Sequence, residues 1–399
     1  MAVVINGTTG IDKVQDGSIG TADIAADAIT TPKIANSVNL GRRNLVINGN
    51  MQIAQRNING SDTGKTASQY GPPDRFKCRT HASAGTLTLA HSSDAPVGFD
   101  RSYRITVTTP GTITGTESLR IDTLIEAQEL VGLQHGTADA TGFTISFWVK
   151  SSTTGTYALN VYQYDGAEMV NQTYTINASD TWEYKTISFS GNTGTAIDNN
   201  NEAGFEIAWF LSSGPNLGTA SSSLSNWTSY TAAAYGAGHT ANISAVTNGY
   251  LAITGVQMEI GSIATPFEHR RVAEELAACQ RYCNVIGDDA HYTALGPGTM
   301  YTTTNGIFYI TTATSMRSTP SLTTIAASSG SNSGKWLNSY VGSTGTITNA
   351  VPQLGENSTN GLSNSFRIYV PSSNSSTTIG LGTWNMVITG ARFILSAEL

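Results

Sequence analysis

The chain has 399 residues, 39% of them hydrophobic and 12% charged, and a formal net charge of −7. The charged share is about half of the usual one, and no Lys/Arg cluster of the kind that neutralises nucleic-acid phosphates is present. No segment approaches the ~20 apolar residues of a membrane span, and Cys78, Cys279 and Cys283 are too few for a disulfide framework. We therefore expect a chain made and assembled in a cytosol, without membrane insertion, that is stabilised by packing and association.

The first segment, residues 1–43, contains a short repeat. The ten-residue repeats DGSIGTADIA and ADAITTPKIA have an isoleucine at every fifth residue: Ile19, Ile24, Ile29 and Ile34. The segment has glycines and a proline but no aromatic residue, so it cannot bury these side chains against itself. A three-chain bundle would bury them, at about 25 cal/mol per Å² of apolar surface. The alternative is a disordered arm.

Residues 44–264 are predicted to form an antiparallel β-sandwich. In GFTISFWVKSS, Phe143, Ile145, Phe147 and Val149 alternate with polar residues and Trp148, which is the period of a half-buried strand. Similar alternation recurs in YALNVYQYDG, WEYKTISFSG, FEIAWFLSSG and YLAITGVQMEIG. Many short strands with turn residues between them are typical of sandwiches and barrels.

A helix is predicted next, over residues 265–286. Thr265 fits the N-cap, Pro266 the first helical position and Glu268 the capping box. A narrow seam at heptad spacing runs along the helix through Val272, Leu276, Cys279 and Cys283. This seam is too short for an isolated coiled coil, but it fits an axis between chains that other domains already hold together.

Residues 287–399 return to β-type segments, including GIFYITTATS, FRIYVPSS and TWNMVITGARFILSAEL. Connectors rich in Ser, Gly and Asn separate them, as in AASSGSNSGKW. We interpret this part as a second, smaller β-domain.

Three blocks of the sequence resemble the tail-fibre and appendage proteins of bacteriophages. They are VINGTTGIDKVQDGSI near the N-terminus, NLVINGNMQIAQR at 44–56 and VQMEIGSIATPFEHRRVAEELAACQRY at 256–282. The resemblance implies a non-enzymatic, homotrimeric fibre of the virion, assembled in the cytoplasm of the bacterial host. Its parts would be an N-terminal virion-attachment segment, a jelly-roll domain similar to carbohydrate-binding modules, a helix and a distal β-domain. The resemblance also implies recognition of host surface glycans.

Strand parity supplies the candidate binding residues. If the apolar members of each strand face the core, five aromatic rings point outward among Lys150, Asn160 and Glu206, and together they would form a sugar platform on one sheet face. These rings are Trp148, Tyr162, Tyr164, Trp182 and Tyr184. Two alternatives remain open, since this face could pack on a neighbouring chain or on the helix, or the receptor could bind the distal loops of residues 287–399.

Three functions fit these features. The first is a structural tail fibre, attached through its N-terminus to another virion protein of the tail or connector. The second is a head fibre mounted on the capsid, and the third is a tailspike enzyme that degrades polysaccharide. Asp and Glu total 28, but no catalytic pair stands out. The oxygen-rich IDNNNEAG (197–204) fits a turn better than a calcium loop, so we expect no metal and no cofactor.

Overall fold

The structure is a computed structural model of the chain. It describes residues 42–56, 60–219, 225–287, 292–302, 305–325, 335–340, 343–348, 353–354, 365–371, 384–389 and 392–399. Contacts divide the chain into the units Met1–Arg43 and Asn44–Leu399, and the described residues belong to the second unit apart from Arg42 and Arg43. The predicted interface residues Ile19, Ile24, Ile29 and Ile34 lie outside the described residues.

Two antiparallel sheets make up the first part of the second unit. Their strands are β1 Ser61–Lys65, β2 Gln69–Tyr70, β3 Phe76–Arg79, β4 Gly85–Ser92, β5 Ser102–Pro110, β6 Ser118–Glu126, β7 Phe143–Ser151, β8 Gly155–Gln163, β9 Glu168–Ile176, β10 Glu183–Phe189, β11 Ala203–Ser213, β12 Thr228–Ser229 and β13 Tyr250–Ile260. Short 3-10 helices lie at Ala82–Ala84, Ala127–Leu133, Asp165–Ala167 and Ile243–Ala245. The first sheet has the order β1-β4-β5-β13-β7-β10, and the second the order β12-β9-β8-β11-β6-β3-β2.

The core lies between these two sheets. Phe147 of β7 and Trp209 of β11 are fully buried, and their ring centroids are 5.7 Å apart in an edge-to-face contact. Leu159 of β8 and Ile145 of β7 belong to the same buried cluster. Burying each such side chain stabilises the fold by about 1.5–3 kcal/mol. The mainly β, antiparallel fold predicted from the alternating strands is confirmed.

The blocks 44–56 and 256–282, which carried the sequence resemblance, contact each other. The Asn44 side chain donates to the carbonyl of Val256 (3.0 Å) and accepts from the N–H of Met258 (3.1 Å). Asn48 donates its backbone N–H to the Glu275 carboxylate. A Cβ at Gly49 would overlap the carbonyl of Val256, so only glycine fits there. These contacts therefore hold residues 44–49 against β13 and against Glu275.

The helix is shorter than predicted. It is α1, Val272–Gln280, and its N-cap is Arg271 rather than Thr265. The Thr265 hydroxyl donates instead to Glu259 (2.7 Å), and the Glu268 carboxylate accepts the N–H of Asn44 (2.8 Å). A cap stabilises a helix by only ~0.5–2 kcal/mol. The capping groups are thus used in tertiary contacts, and the prediction of a helix over 265–286 is wrong at both ends.

The predicted seam does not form a continuous stripe. Val272 is 51% exposed and Leu276 half-buried, but Cys279 is fully buried within this chain. Cys283 is also fully buried and begins a strand instead of continuing the helix. Cys279 and Cys283 therefore cannot line an axis between chains, and this part of the interface prediction is corrected. All three cysteines are free.

The C-terminal part is also built of strands. They are β14 Cys283–Ile286, β15 Tyr292–Thr302, β16 Asn305–Thr311, β17 Ser321–Ile325, β18 Lys335–Tyr340, β19 Ser343–Thr348, β20 Gln353–Leu354, β21 Ser365–Pro371, β22 Trp384–Thr389 and β23 Arg392–Ser396. They form a small sheet, β14-β23-β17, and a larger one, β19-β18-β22-β15-β16-β21-β20.

Both ends of this C-terminal part lie at the sandwich. The strands β14 and β23 pair with each other, and the Glu398 carboxylate after β23 binds Arg56 (2.8 Å) and Arg75. The Arg75 guanidinium lies 3.4 Å from the centroid of the Tyr282 ring. The Tyr70 hydroxyl donates to the carbonyl of Leu399 (3.0 Å). The C-terminal part therefore contacts the sandwich through its first strand, through its last residues and through Arg317, which bonds with Asn201. Within the described residues, no helix is both long and apolar enough to cross a membrane.

Candidate functional site

The five predicted rings lie on two different sheets. Trp148 of β7 and Tyr184 of β10 are cross-strand partners in the first sheet, and Trp182 directly precedes β10. Tyr162 belongs to β8 of the second sheet, and Tyr164 follows that strand. Parity shows which side of a strand faces the core, but it does not show which sheet the strand joins. The prediction of a single platform on one sheet face is therefore wrong.

The first sheet carries a row of rings on its outer face, which we call the aromatic strip: Tyr184, Trp148, Phe99 and Phe267. The ring centroids of Trp148 and Tyr184 are 5.4 Å apart, and those of Phe99 and Phe267 are 5.1 Å apart. Gly255 lies where the two pairs of rings meet. A Cβ there would lie 2.7 Å from Phe99 and 3.1 Å from Trp148, so both rings converge on this glycine.

Gly255 lies at a bulge in β13 and has φ +61°. This left-handed conformation is costly for residues with a Cβ. The missing side chain also leaves the space that the two rings occupy. Backbone conformation and ring packing therefore both require glycine at this position.

An acidic group borders the strip. Asp94, in the loop between β4 and β5, accepts hydrogen bonds from Lys150 Nζ (2.9 Å) and Trp182 Nε1 (3.1 Å). Burial opposes ionisation, but these two bonds outweigh it and hold the pKa of Asp94 below its usual value. Its side chain is still 37% exposed. The carboxylate is therefore ionised and accessible beside the rings.

The turn before β10 is fixed by Glu183. Its carboxylate accepts the backbone N–H groups of Asn177 (2.8 Å) and Ala178 (2.9 Å), and it binds Lys185 (2.6 Å). Burial opposes ionisation, but the bonds from Lys185 and the two N–H groups lower the pKa of Glu183 to about 2. Because Glu183 lies between Trp182 and Tyr184, these bonds fix the backbone that carries both rings.

A second cation lies on the same face. This cation is Arg104 of β5, which is the cross-strand partner of Ala252 in β13. Ala252 is in turn the partner of Lys150 in β7. The Arg104 guanidinium lies 3.5 Å from the centroid of the Tyr250 ring, and the Tyr250 hydroxyl donates to Asp180. The face therefore carries donors and acceptors on both sides of a small alanine.

The second sheet carries what we call the tyrosine cluster: Tyr162, Tyr164, Tyr230 and Tyr235. Tyr162 meets Tyr164 (5.1 Å) and Tyr230 (5.9 Å) almost at right angles. Tyr164 is 39% exposed and Tyr230 47%, whereas Tyr235 is buried. Tyr162 therefore contacts Tyr164 and Tyr230 edge to face.

Charges beneath the tyrosine cluster are paired with one another. Glu206 accepts from Tyr235 (2.7 Å) and Arg79 (2.9 Å), and Asp122 binds Arg79 (2.7 Å) and Arg120 (3.0 Å). Burial raises the pKa of Asp122 to about 6. Burial also opposes ionisation of Glu206, but Arg120 and Arg79 lower its pKa. The predicted site residue Glu206 thus lies in a closed ion-pair network, and Asn160 is fully buried.

The two faces therefore differ in what they offer a ligand. In the tyrosine cluster, the buried acids are already matched by arginines and hydroxyls. In the aromatic strip, Tyr184 is 45% exposed, and Trp182, two residues before it, donates to an accessible carboxylate that also binds Lys150. An aromatic ring with polar groups at its edge suits a sugar, whose ring has an apolar face and whose hydroxyls need donors and acceptors.

Sequence reasoning missed Asp94, Phe99, Gly255 and Phe267. Asp94 and Phe99 belong to a loop without periodicity, and Phe267 was assigned to a helix. The only available signal was Gly255 inside the alternating YLAITGVQMEIG, since a glycine within a strand often marks a bulge or a close approach.

Comparison with known proteins assigns this chain to no family. No family model matches it, and no curated protein matches it. Among solved structures, it is similar to the enzymatically active domain of tailspike protein 4 of bacteriophage CBA120, with 15% identity, a TM-score of 0.28, and coverage of 54% of this chain and 21% of that one. The chain thus matches about a fifth of that protein's length.

Two further solved structures are sugar-binding proteins by their descriptions. One is a putative sugar binding protein from Bacteroides thetaiotaomicron, with 8% identity, a TM-score of 0.32, and coverage of 55% and 100%. The other is TmCBM61 in complex with β-1,4-galactotriose, with 10% identity, a TM-score of 0.25, and coverage of 55% and 99%. At such TM-scores the likeness carries no argument about function, which must come from the side chains of this chain.

Proposed function

We propose that this protein is a non-enzymatic, homotrimeric tail fibre of a bacteriophage virion that binds host surface glycans through the aromatic strip. Attachment to the tail or connector would use residues 1–43. The observation that carries the glycan-binding part is the exposed ring of Tyr184 beside Trp148, on the sheet face that also carries the accessible Asp94–Lys150 pair.

The role in a virion is supported by the sequence resemblance. Two of its blocks, 44–56 and 256–282, form one connected unit through the side chains of Asn44 and the backbone of Asn48. A signature whose members contact each other is more informative than two independent short matches. The head-fibre alternative is distinguished by antibody labelling of virions in electron micrographs, which shows whether the protein lies on the tail or the capsid.

The absence of catalysis is also part of the proposal. A tailspike enzyme would release new reducing ends or unsaturated sugars from the polysaccharide that it binds. We expect neither from purified protein incubated with a polysaccharide that it binds. Either product would favour the enzyme alternative.

The glycan-binding part is tested with two tyrosines of almost equal exposure. Tyr184 of the strip is 45% exposed and Tyr230 of the tyrosine cluster 47%. Full-length protein is first screened on an array of bacterial surface polysaccharides, and the affinity for the strongest hit is then measured for Tyr184→Ala, Trp148→Ala and the control Tyr230→Ala. Melting temperatures are recorded for each variant.

We expect Tyr184→Ala to weaken binding about tenfold, which corresponds to ~1.4 kcal/mol, with little change in melting temperature. Tyr230→Ala should bind like the unmodified protein. If Tyr230→Ala loses binding while both strip variants keep it, the tyrosine cluster is the site. If all variants keep it, the distal loops of 287–399 become the better hypothesis.

A further inference from the structure

A cavity of about 280 Å³ opens at one end of the aromatic strip. Three separate chain segments line it: Asn50 and Gln52, then Gly98–Asp100, and then His269–Val272. The strip and the cavity share Phe99, because this residue lines the cavity and its ring converges with Trp148 on Gly255. A ligand along the strip would therefore continue into this cavity.

The size of the cavity limits what it can hold. Pockets for drug-sized ligands measure about 300–1,000 Å³, so this cavity, at about 280 Å³, lies just below that range. It suits one sugar ring rather than a segment of several.

The lining offers both donors and acceptors. Arg270 is engaged with Glu268 (3.9 Å) and Glu275 (3.6 Å). Arg271 is exposed, and it has no ion pair with any residue that the structure describes. Asp100, from another of the three lining segments, supplies a carboxylate and is also exposed.

A sugar needs such a mixture. Hydroxyl groups donate to carboxylates and accept from guanidinium and amide groups, and an apolar ring face packs on an aromatic side chain. Phe99 supplies that aromatic wall, and the amides of Asn50 and Gln52 lie beside it. The cavity therefore combines donors, acceptors and an aromatic residue, as a neutral sugar unit requires.

We propose that this cavity binds the terminal sugar unit of a glycan whose following units lie along the aromatic strip, so that the protein recognises chain ends. The inference rests on the proposed function of the strip. It adds that the terminal unit contributes its own binding energy, which a polysaccharide without accessible ends could not provide.

The test uses methyl glycosides as probes, because each mimics a chain end. Saturation-transfer NMR is run on full-length protein with the methyl glycosides of glucose, galactose, rhamnose and N-acetylglucosamine. Val272→Trp is designed to fill the cavity, since Val272 lines it and is 51% exposed. Ala273→Trp, at the next and also exposed position, is the matched control. Light scattering checks that the variants have the same assembly state.

A second pair of variants removes a charge without filling space. Arg271→Gln takes the free guanidinium from the cavity, and Arg101→Gln changes an exposed arginine that does not line it. We expect at least one methyl glycoside to bind the unmodified protein and both controls. Its affinity should fall at least tenfold in Val272→Trp and measurably in Arg271→Gln.

The outcomes separate this inference from the proposed function. Suppose that a polysaccharide binds through Tyr184 and Trp148. If no methyl glycoside then binds the unmodified protein, or if Val272→Trp binds the glycoside with unchanged affinity, the cavity inference is wrong and the proposal for the strip remains. If no polysaccharide binds the unmodified protein, the proposed function fails and the inference falls with it.

Discussion

Replacing Gly255 with alanine should displace the rings of Phe99 and Trp148 in the aromatic strip. The added Cβ would lie 2.7 Å from Phe99 and 3.1 Å from Trp148, which is closer than side chains normally approach. Both rings would have to move apart. Gly115 provides a matched control, because its φ of +57° is close to the +61° of Gly255 and an added Cβ there meets nothing within 4 Å.

The expected magnitudes depend on these two environments. A left-handed conformation costs an alanine about 1–2 kcal/mol, and both variants should show this loss. Overpacking adds about 1–3 kcal/mol, and only Gly255→Ala should show it. The free energy of unfolding should therefore fall by ~1–2 kcal/mol in Gly115→Ala and by ~2–5 kcal/mol in Gly255→Ala.

Denaturant unfolding and glycan affinity are measured on both variants. We expect Gly255→Ala to bind glycan more weakly than the unmodified protein, because Trp148 and Phe99 no longer converge, while Gly115→Ala binds normally. Equal stability and equal affinity in the two variants would refute the convergence of the rings on Gly255.

Four further outcomes are expected. Glu183→Gln should remove a stabilisation that is fully present above pH ~4.5, the ordinary pKa of a glutamate, and that is lost as the pH falls towards the folded pKa of about 2. The melting temperatures of the variant and the unmodified protein should therefore converge at low pH, and a constant difference would contradict the role of Glu183. Glu398→Gln should destabilise the fold by about 3–5 kcal/mol, because Arg56 and Arg75 lose their buried carboxylate, and an unchanged unfolding free energy would count against this contact. Removing residues 1–43 should leave a folded, glycan-binding protein that is absent from purified virions, and normal copy number on virions would place attachment elsewhere. Light scattering should give about three times the 42.0 kDa chain mass, and a stable monomer at micromolar concentration would exclude the trimer.

Strand alternation predicted more of the fold than of the site. It identified β7, β8, β10, β11 and β13 and the side of each that faces the core. It did not show that β8 pairs with β9 and β11, while β10 pairs with β7. Such pairings depend on contacts distant in sequence, so Tyr162 and Trp148 could not be assigned to different sheets from local pattern.

Local signals failed where tertiary contacts outweighed them. The capping residues Thr265 and Glu268 bind Glu259 and Asn44 instead of starting a helix. Cys283 continues the helical spacing in sequence, but β14 begins there because it pairs with β23 more than a hundred residues later. A cap worth ~1 kcal/mol cannot compete with such a network.

A crystal structure of the full chain with an oligosaccharide cut from the bound polysaccharide would show directly whether the aromatic strip is the glycan site. We expect sugar rings over Tyr184 and Trp148, with hydroxyls at Asp94 and Lys150 and the terminal unit beside Phe99. Sugar bound instead at Tyr162 and Tyr230, or only within residues 287–399, would contradict glycan binding by the strip.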